Sequence, residues 1–369
     1  MAVAAEAGRQ EWAEIGRKYS ADNVRGFAQV LTTLVPLAAL WYAVAPSARI
    51  SLWLTAAVTL LMILFLTRAF VLMHECGHSS LFLTNWLNRV AGFVFGIVSG
   101  MPQFVWSKHH AYHHATNGDW SKYRGPLNTR SVDEFRAMTE TQQRMYLLAR
   151  RIWMAPLGGF LYLIFNPRFT WLVGSLAFAG HVFKGWVARP RVPLRTLAGS
   201  FKTPYWSDAR EYRHMLFNNI VLLTVWVLMS LWIGPLLFFS VYLASVSVAG
   251  GAAIVIFTVQ HNFEHSYAST SEGWDINVAA IKGTSYLVLP RWLNWFTANI
   301  AYHHVHHLSA RIPNYHLAEC HSKYQHLFTD VKRIRLSDLA KTSKYILWDT
   351  RARRIISVDE YRQQPAIAQ

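Results

Sequence analysis

Clustered histidines are the residues of this sequence whose type and spacing could support chemistry. The chain has 17 histidines and two cysteines. Twelve of the histidines fall into four short clusters, which are His74 and His78; His109, His110, His113 and His114; His261 and His265; and His303, His304, His306 and His307. Neutral imidazole binds transition metals well, whereas magnesium and calcium prefer oxygen ligands. We therefore predict a transition-metal site built from imidazole.

The spacing inside the clusters is that of one helical face. Segments 74–78 (HECGH) and 261–265 (HNFEH) begin and end on histidine, and side chains four residues apart lie on the same side of a helix. Segments 110–114 (HAYHH) and 303–307 (HHVHH) place histidines at i, i+3 and i+4. The boxes at 74–78, 110–114 and 303–307 together offer more imidazoles than one metal needs. We predict a two-metal centre held mainly by nitrogen, unlike the carboxylate-rich di-iron sites of soluble bundles.

Four long apolar runs must position these boxes. Each is close to the roughly 20 helical residues that cross a bilayer. They form two pairs, 27–45 with 50–73 and 216–234 with 236–260, and only a few residues separate the members of each pair. Charged residues make up 15% of the chain, against about a quarter in a soluble domain. We predict an all-α integral membrane protein with two transmembrane helical hairpins, four spans in all.

Charge placement predicts the orientation. The turns of the two hairpins contain one basic residue, Arg49, whereas the chain as a whole has 36 Lys and Arg. The positive-inside rule therefore puts both termini, and the histidine boxes that follow each hairpin, in the cytoplasm. The first 26 residues are polar and do not resemble a cleavable signal peptide.

Three further apolar pieces are expected to lie in the interface rather than to span the membrane. Segments 153–165 and 169–187 are separated by Asn166-Pro167-Arg168, which we interpret as a break. Segment 91–105, with glycines every four residues, is expected to pack closely and to be re-entrant or interfacial.

We expect one domain over residues 1–369. Its core is predicted at about 50–330, between an N-terminal cytosolic tail at 1–26 and a basic C-terminal cytosolic tail at 327–369.

The three boxes, with VQHNFEH at 259–265 and LPRWLNWFTANIAYHHVHHLSARIPNY at 289–315, resemble the membrane-bound fatty acid desaturases. The similarity is to bacterial and cyanobacterial acyl-lipid enzymes of the delta-12 and omega-3 type, and it covers roughly residues 50–330. It implies a non-haem di-iron oxygenase in a bacterial inner membrane, with a four-helix stem under a helical cytosolic cap that holds two irons.

The resemblance also implies the ligands. One iron would be held by His74, His78, His110, His114 and His306, and the other by His113, His261, His303 and His307. No catalytic side chain beyond the metal centre is implied. The chain contains no His-Pro-Gly-Gly segment of a fused cytochrome b5, so electrons would come from a separate ferredoxin or cytochrome b5-like protein. Both donors are acidic and would be attracted by a basic face.

Other polar residues near the boxes are candidates for extra ligands or for acceptors of imidazole N–H groups. They are His265, His109, His304, Glu75, Glu264, Asp119, Asp275 and Asn299. A surface acid, a helix cap or an ordinary polar residue is the alternative for each. Trp292, Trp295 and Phe296 precede the third box and could line an acyl channel.

The predicted function is O2-dependent desaturation of an acyl chain, carried by a membrane lipid or a thioester, to give a cis double bond. An alkyl C–H bond has no acidic proton, so a cofactor must supply the oxidising power. A hydroxylase or ketolase of a lipid or carotenoid on the same scaffold is the alternative. A metal transporter is disfavoured because the histidines lie at or beyond the span ends. Nothing indicates nucleic-acid binding, and the sequence leaves the double-bond position and oligomeric state open.

Overall fold

The computed structural model describes residues 14–125 and 127–363, and most of these residues are helical. Besides a helical stretch at 14–18, the α-helices are α1 (Asn23–Ile50), α2 (Leu52–Gly77), α3 (Asn85–Ser99), α4 (Gln103–Thr116), α5 (Val132–Arg136), α6 (Glu140–Ala149), α7 (Ala155–Phe160), α8 (Asn166–Ala188), α9 (Leu194–Gly199), α10 (Ala209–Ile233), α11 (Pro235–His261), α12 (Ile276–Lys282), α13 (Arg291–Phe296), α14 (His303–Leu308), α15 (Leu317–Lys323), α16 (Leu339–Thr342) and α17 (Val358–Gln363). A π-helical segment spans Leu161–Phe165, and short 3-10 helices lie at Ile152–Met154, Asn314–His316, Gln325–Leu327 and Leu336–Asp338. The strands are β1 (Arg130–Ser131), β2 (Ser285–Val288), β3 (Lys332–Arg335), β4 (Tyr345–Asp349) and β5 (Arg354–Ser357).

Among the described residues, four helices are by themselves long and apolar enough to cross a membrane, and they coincide with the four apolar runs predicted from sequence as spans. They are α1, α2, α10 and α11. Ser51 alone joins α1 to α2, and Gly234 alone joins α10 to α11. The chain reverses at Gly234 with φ 86°, a conformation that glycine adopts without a steric penalty. Each pair packs together, and α11 also packs against α2 and α7.

The chain bends sharply after α3. Gly100 ends that helix with φ 77°, and α4 leaves at 101° to α3. A Cβ on Gly92 would lie 2.9 Å from the Cβ of Cys76, so α3 approaches α2 as closely as the glycine spacing predicted. The placement of this bend in the membrane interface stays a prediction.

The predicted break at Asn166-Pro167-Arg168 is wrong. The chain is helical from Ile152 to Ala188, and Pro167 lies at the start of α8 directly after the π-helical segment. A proline removes one backbone N–H and crowds the carbonyl four residues earlier, here that of Leu163. The wider π turn accommodates this change. Arg168 donates to the Leu163 carbonyl at 2.8 Å, so that oxygen still has a partner.

Arg168 also connects α8 to the end of α3 and to α10. It donates to the carbonyl of Gly100 and, at 3.0 Å, to Oδ1 of Asn218 on α10. Replacing Arg168 with leucine would leave buried carbonyls unpaired, at a cost of about 1–3 kcal/mol for each group. We expect Arg168→Leu to lower the free energy of unfolding by about 3 kcal/mol, measured by thermal unfolding in detergent. Arg191→Leu, at an exposed position, is the control. Equal free energies of unfolding for the two variants would contradict the prediction.

The five short strands in the described part of the chain depart from the predicted helical cap. β1 pairs with β4 in parallel, β4 pairs with β5 antiparallel, and β2 pairs with β3 in parallel. Three of these strands come from the segment that the sequence indicated as a C-terminal tail. Residues 327–363 of this segment are therefore part of the folded body, and Tyr146 on α6 donates to the Ile346 carbonyl at 2.6 Å. Strands of two to five residues are too short to show a clear alternating pattern in sequence.

Candidate metal centre

The ends of two candidate spans and two shorter helices bring the histidine boxes together. His74 lies in the last turn of α2, and His78 caps that helix. His261 is the last residue of α11. α4 carries the second box and α14 carries the third. The structure thus places all nine predicted ligands at one end of the four long helices.

The nine histidines form two groups. The first group consists of His74, His78, His110, His114 and His306, and the second consists of His113, His261, His303 and His307. Within each group, one ring nitrogen from every histidine lies within 4.8 Å of the others. These are the same two sets that the resemblance assigned to two irons.

Short nitrogen–nitrogen contacts show how closely each group converges. Nε2 of His114 lies 3.0 Å from Nε2 of His110 and 3.1 Å from Nε2 of His306. In the second group, Nε2 of His303 lies 2.9 Å from Nε2 of His261. Several other ring nitrogens are buried without a partner in the described part of the chain, namely Nε2 of His74, His78 and His307 and Nδ1 of His113, His303 and His306. Buried polar atoms normally have partners, so an orphaned nitrogen such as Nε2 of His74, whose Nδ1 is already paired with Glu75, fits a metal ion.

The donor set and its electrostatics fit a transition metal. The groups contain imidazoles alone among the described residues, which suits iron and related metals rather than magnesium or calcium. Burial lowers the pKa of His78 to about 3, with a smaller contribution from neighbouring His74. Burial also holds the pKa values of His303, His306 and His307 well below the usual range. These rings are therefore neutral at pH 7, the form in which imidazole binds a metal.

Glu75 is placed to accept a hydrogen bond from the ring of a predicted ligand, as proposed for it from sequence. It is completely buried, and its Oε1 lies 3.1 Å from Nδ1 of His74. Its Oε2 accepts from Oγ of Ser80 and from the backbone N–H of Asn314, each at 3.0 Å. A carboxylate on Nδ1 keeps the proton there and leaves Nε2 free to face a metal.

Asn314 is a supporting residue that the sequence reasoning missed. Its side chain contacts Gln29 of α1, and its carbonyl accepts from Nδ2 of Asn299 at 3.0 Å. Asn299 therefore supports the segment that contacts Glu75, and it lies between α13, which ends at Phe296, and α14, which begins at His303. The sequence signal was RIPNY at 311–315, which we noted only as part of the resemblance.

Three other candidates lie outside both groups. α11 ends at His261, and His265 is exposed with φ 63°, so the predicted helical stacking of this pair is wrong. Glu264 pairs with Lys332 at 3.0 Å. Asp275 caps α12 by accepting from the backbone of Asn277 at 2.8 Å. The last two are a surface acid and a helix cap, the alternatives considered for them.

His304, Asp119 and His109 also do not join the groups. His304 is buried, with Nε2 2.8 Å from Nδ1 of His321. Asp119 pairs with Lys122 at 2.9 Å. His109 is exposed and lines a cavity beside the groups.

That cavity has a volume of about 610 Å³ and lies directly against the histidines. His110 of the first group and His113 and His261 of the second line it. Much of the remaining wall is apolar, and includes Phe70 and Phe257. The volume is within the range of about 300–1,000 Å³ for small-molecule sites.

The predicted channel residues lie elsewhere. Trp292, Trp295 and Phe296 are not among the residues that line this cavity. Trp295 packs against Phe65 and under the guanidinium of Arg68, whose Cζ is 4.0 Å from the ring centroid. The cavity is walled instead by α4, by α11 and by the segment around α7, which the sequence assigned only to the interface, and the role of the three aromatic residues in an acyl channel stays a prediction.

The chain is similar to known fatty acid desaturases. The family model for fatty acid desaturases matches residues 51–335. A fatty acid desaturase of Bacillus subtilis is 30% identical over 93% of this chain and 89% of its own length. An sn-1 oleoyl-lipid 12-desaturase of Picosynechococcus is 25% identical over 76% of this chain and 69% of its own, and fatty acid conjugase FAC2 A of Calendula officinalis is 23% identical over 69% and 63%.

The chain belongs to the fatty acid desaturase family. The resemblance found in the histidine boxes is therefore confirmed, and the family makes the protein an oxidoreductase. The four apolar helices and the family together indicate a membrane protein.

Proposed function

We propose that this protein is an O2-dependent fatty acyl desaturase that places a cis double bond in the acyl chain of a membrane lipid. The observation that carries the proposal is the pair of all-histidine groups on the wall of one largely apolar cavity. An apolar cavity suits an alkyl chain because burial of each methylene group stabilises the bound state by about 0.8 kcal/mol. The oleoyl-lipid substrate named for several relatives supports the choice of a lipid-linked chain.

Each group of histidines would hold one iron, with the ligand sets given above. With dioxygen and two electrons, the bound irons would supply the oxidising power that an unactivated C–H bond requires. The residues of the chain position the reaction: Phe70 and Phe257 contact the alkyl chain and exclude water, while Glu75 keeps a proton on Nδ1 of His74. No other catalytic side chain is needed.

The proposal includes a location and an electron donor. The four spans would cross a bacterial inner membrane as two hairpins, with both termini and the histidines on the cytoplasmic side. Residues 1–369 would form a single domain. A net charge of +16 supports docking of an acidic donor, either a ferredoxin or a cytochrome b5-like protein.

Expression in a host that makes only saturated and monounsaturated chains tests the function. We expect new double bonds in membrane lipids by analysis of fatty acid methyl esters, and one iron for each histidine group in the purified protein. Membranes from cells with an empty vector are the control. An unchanged acyl profile with an oxygenated lipid or carotenoid would overturn desaturation in favour of the hydroxylase or ketolase alternative, and zinc without iron would overturn the redox chemistry.

A further inference from the structure

A buried arginine in α2 is connected by hydrogen bonds to the first histidine group. Arg68 is only 3% exposed, although α2 is one of the candidate membrane spans. A charged side chain inside a span is costly to bury, which makes it a candidate for a functional role. We propose that Arg68 is a positioning residue for the first metal site, because it fixes the hydrogen bonds that hold Glu75 against His74. The inference rests on the proposed iron centre of the desaturase.

Each nitrogen of the Arg68 guanidinium has a partner. Nε donates to Oγ1 of Thr33 at 3.0 Å, and Nη1 donates to the carbonyl of Trp295. Nη2 donates to Oε1 of Gln29 at 3.1 Å. The guanidinium is therefore held in one place between α1 and α13, and one of its donors is committed to the Gln29 amide.

Gln29 and Asn314 form a reciprocal pair of side-chain amides. Nε2 of Gln29 donates to Oδ1 of Asn314 at 2.9 Å, and Nδ2 of Asn314 donates to Oε1 of Gln29 at 2.8 Å. Two amides could also pair with both groups reversed. A guanidinium only donates, so it excludes the reversed pair, in which the Gln29 N–H groups would face Arg68. Arg68 thereby sets the direction of the hydrogen bonds in this pair.

The amide pair anchors the residue that contacts Glu75. The backbone N–H of Asn314 donates to Oε2 of Glu75 at 3.0 Å, and Oε1 of Glu75 lies 3.1 Å from Nδ1 of His74. Asn314 and Glu75 are both buried, so water does not compete for these contacts. Arg68 and Glu75 are seven residues apart on α2, about two turns along one face. Every step from the arginine to the metal ligand is therefore a hydrogen bond.

The alternative is that Arg68 only packs α13 onto α2. Its Cζ lies 4.0 Å from the centroid of the Trp295 ring, a cation–π contact that stabilises this packing. A packing role alone predicts a less stable protein whose two metal sites are affected equally. A positioning role predicts an effect on the first site only, since the hydrogen bonds lead to His74.

The test measures how tightly purified full-length protein retains iron against a chelator. We expect Arg68→Leu to hold one of its two irons roughly tenfold less tightly than the wild type and the other unchanged, since residues that orient a metal ligand change affinity by about 10–100-fold. Arg168→Leu is the matched control, because it also removes an arginine that joins helices by hydrogen bonds, but not to this path. Arg168→Leu should be less stable and keep both irons. Equal weakening of both irons in Arg68→Leu would overturn the inference.

A double-variant cycle tests whether Arg68 acts through Glu75. If it does, Arg68→Leu should weaken iron retention little further in protein that already contains Glu75→Gln. Independent sites give additive free energies, so a second, roughly tenfold loss in the double variant would overturn the inference.

Iron retention does not require turnover, which separates this inference from the proposed function. Absence of desaturated products from wild-type protein that holds both irons would overturn the function alone. Unchanged iron retention in Arg68→Leu, with wild-type desaturation intact, would overturn the role of Arg68 alone. If Arg68→Leu does not fold, Gln29→Leu breaks the same path and leaves Arg68 its contacts with Thr33 and Trp295. Unchanged iron retention in Gln29→Leu then overturns the inference.

Discussion

Replacing His113 with alanine is expected to abolish desaturation and to remove iron from the second histidine group. His113 is buried, and its ring centroid lies 4.7 Å from that of His261 and 5.0 Å from that of His307. The change leaves that group with three imidazoles. Even residues that only support a metal ligand change affinity or activity by about 10–100-fold, so loss of a ligand should cost more than about 100-fold. Product analysis by methyl esters and iron content of the purified protein measure the effect.

The control for this variant is His265→Asn. His265 was also a candidate from sequence, but it is exposed and has a left-handed backbone that asparagine tolerates. Both variants should insert in the membrane like the wild type, since alanine is a good helix former at 113. Retained activity in His113→Ala would remove this residue from the set of ligands. Loss of iron in His265→Asn would show that the two groups are incomplete.

Removing the Glu75 carboxylate, which accepts from Nδ1 of His74, should have the second largest effect of the substitutions predicted for this protein. Glu75 accepts from the His74 ring, from Ser80 and from the backbone of Asn314, and glutamine cannot reproduce all three contacts because its amide nitrogen donates. We expect Glu75→Gln to weaken iron retention against a chelator by about 10–100-fold. Glu75→Ala should weaken it further, since the buried N–H of Asn314 then also lacks its partner.

Glu264→Gln provides the matched comparison. Glu264 follows a candidate ligand as Glu75 does, but it pairs at the surface with Lys332, and the two side chains are 41% and 42% exposed. Such pairs contribute about 0–1 kcal/mol, and Glu264→Gln should retain iron like the wild type. Equal iron loss in both variants would mean that the hydrogen bond between Glu75 and His74 does not contribute to iron retention.

The sequence by itself determined the family, the four apolar helices and the nine clustered histidines. These features depend on short-range patterns: apolar runs of span length, and imidazoles at i, i+3 and i+4 on one helical turn. Their division into two groups followed from the resemblance and agrees with the geometry. Residue spacing predicts which histidines lie together because each box lies within a single helix or at its end.

Only the tertiary structure decided which neighbours of the boxes support them. Glu75 and Glu264 look alike in sequence, and a contact across 239 residues, to Asn314, distinguishes the first from the second. His265 does not join either histidine group because α11 ends at His261. The helix would have to continue for one more turn to bring an i+4 side chain onto the face of His261. Pairing between β1 and β4 likewise joins distant segments that show no local pattern.

The cavity beside the histidines, which we propose holds the substrate, is likewise decided by the tertiary structure. Its wall combines α4, α11 and the segment around α7, and it does not include Trp292 or Trp295, the aromatic residues that the sequence suggested for an acyl channel. A cavity is space left between elements, so its walls depend on helix directions and close approaches such as that of Gly159 to Gly251. Residue spacing along the chain encodes which side chains share a helical face, and it does not encode the distance between one helix and the next.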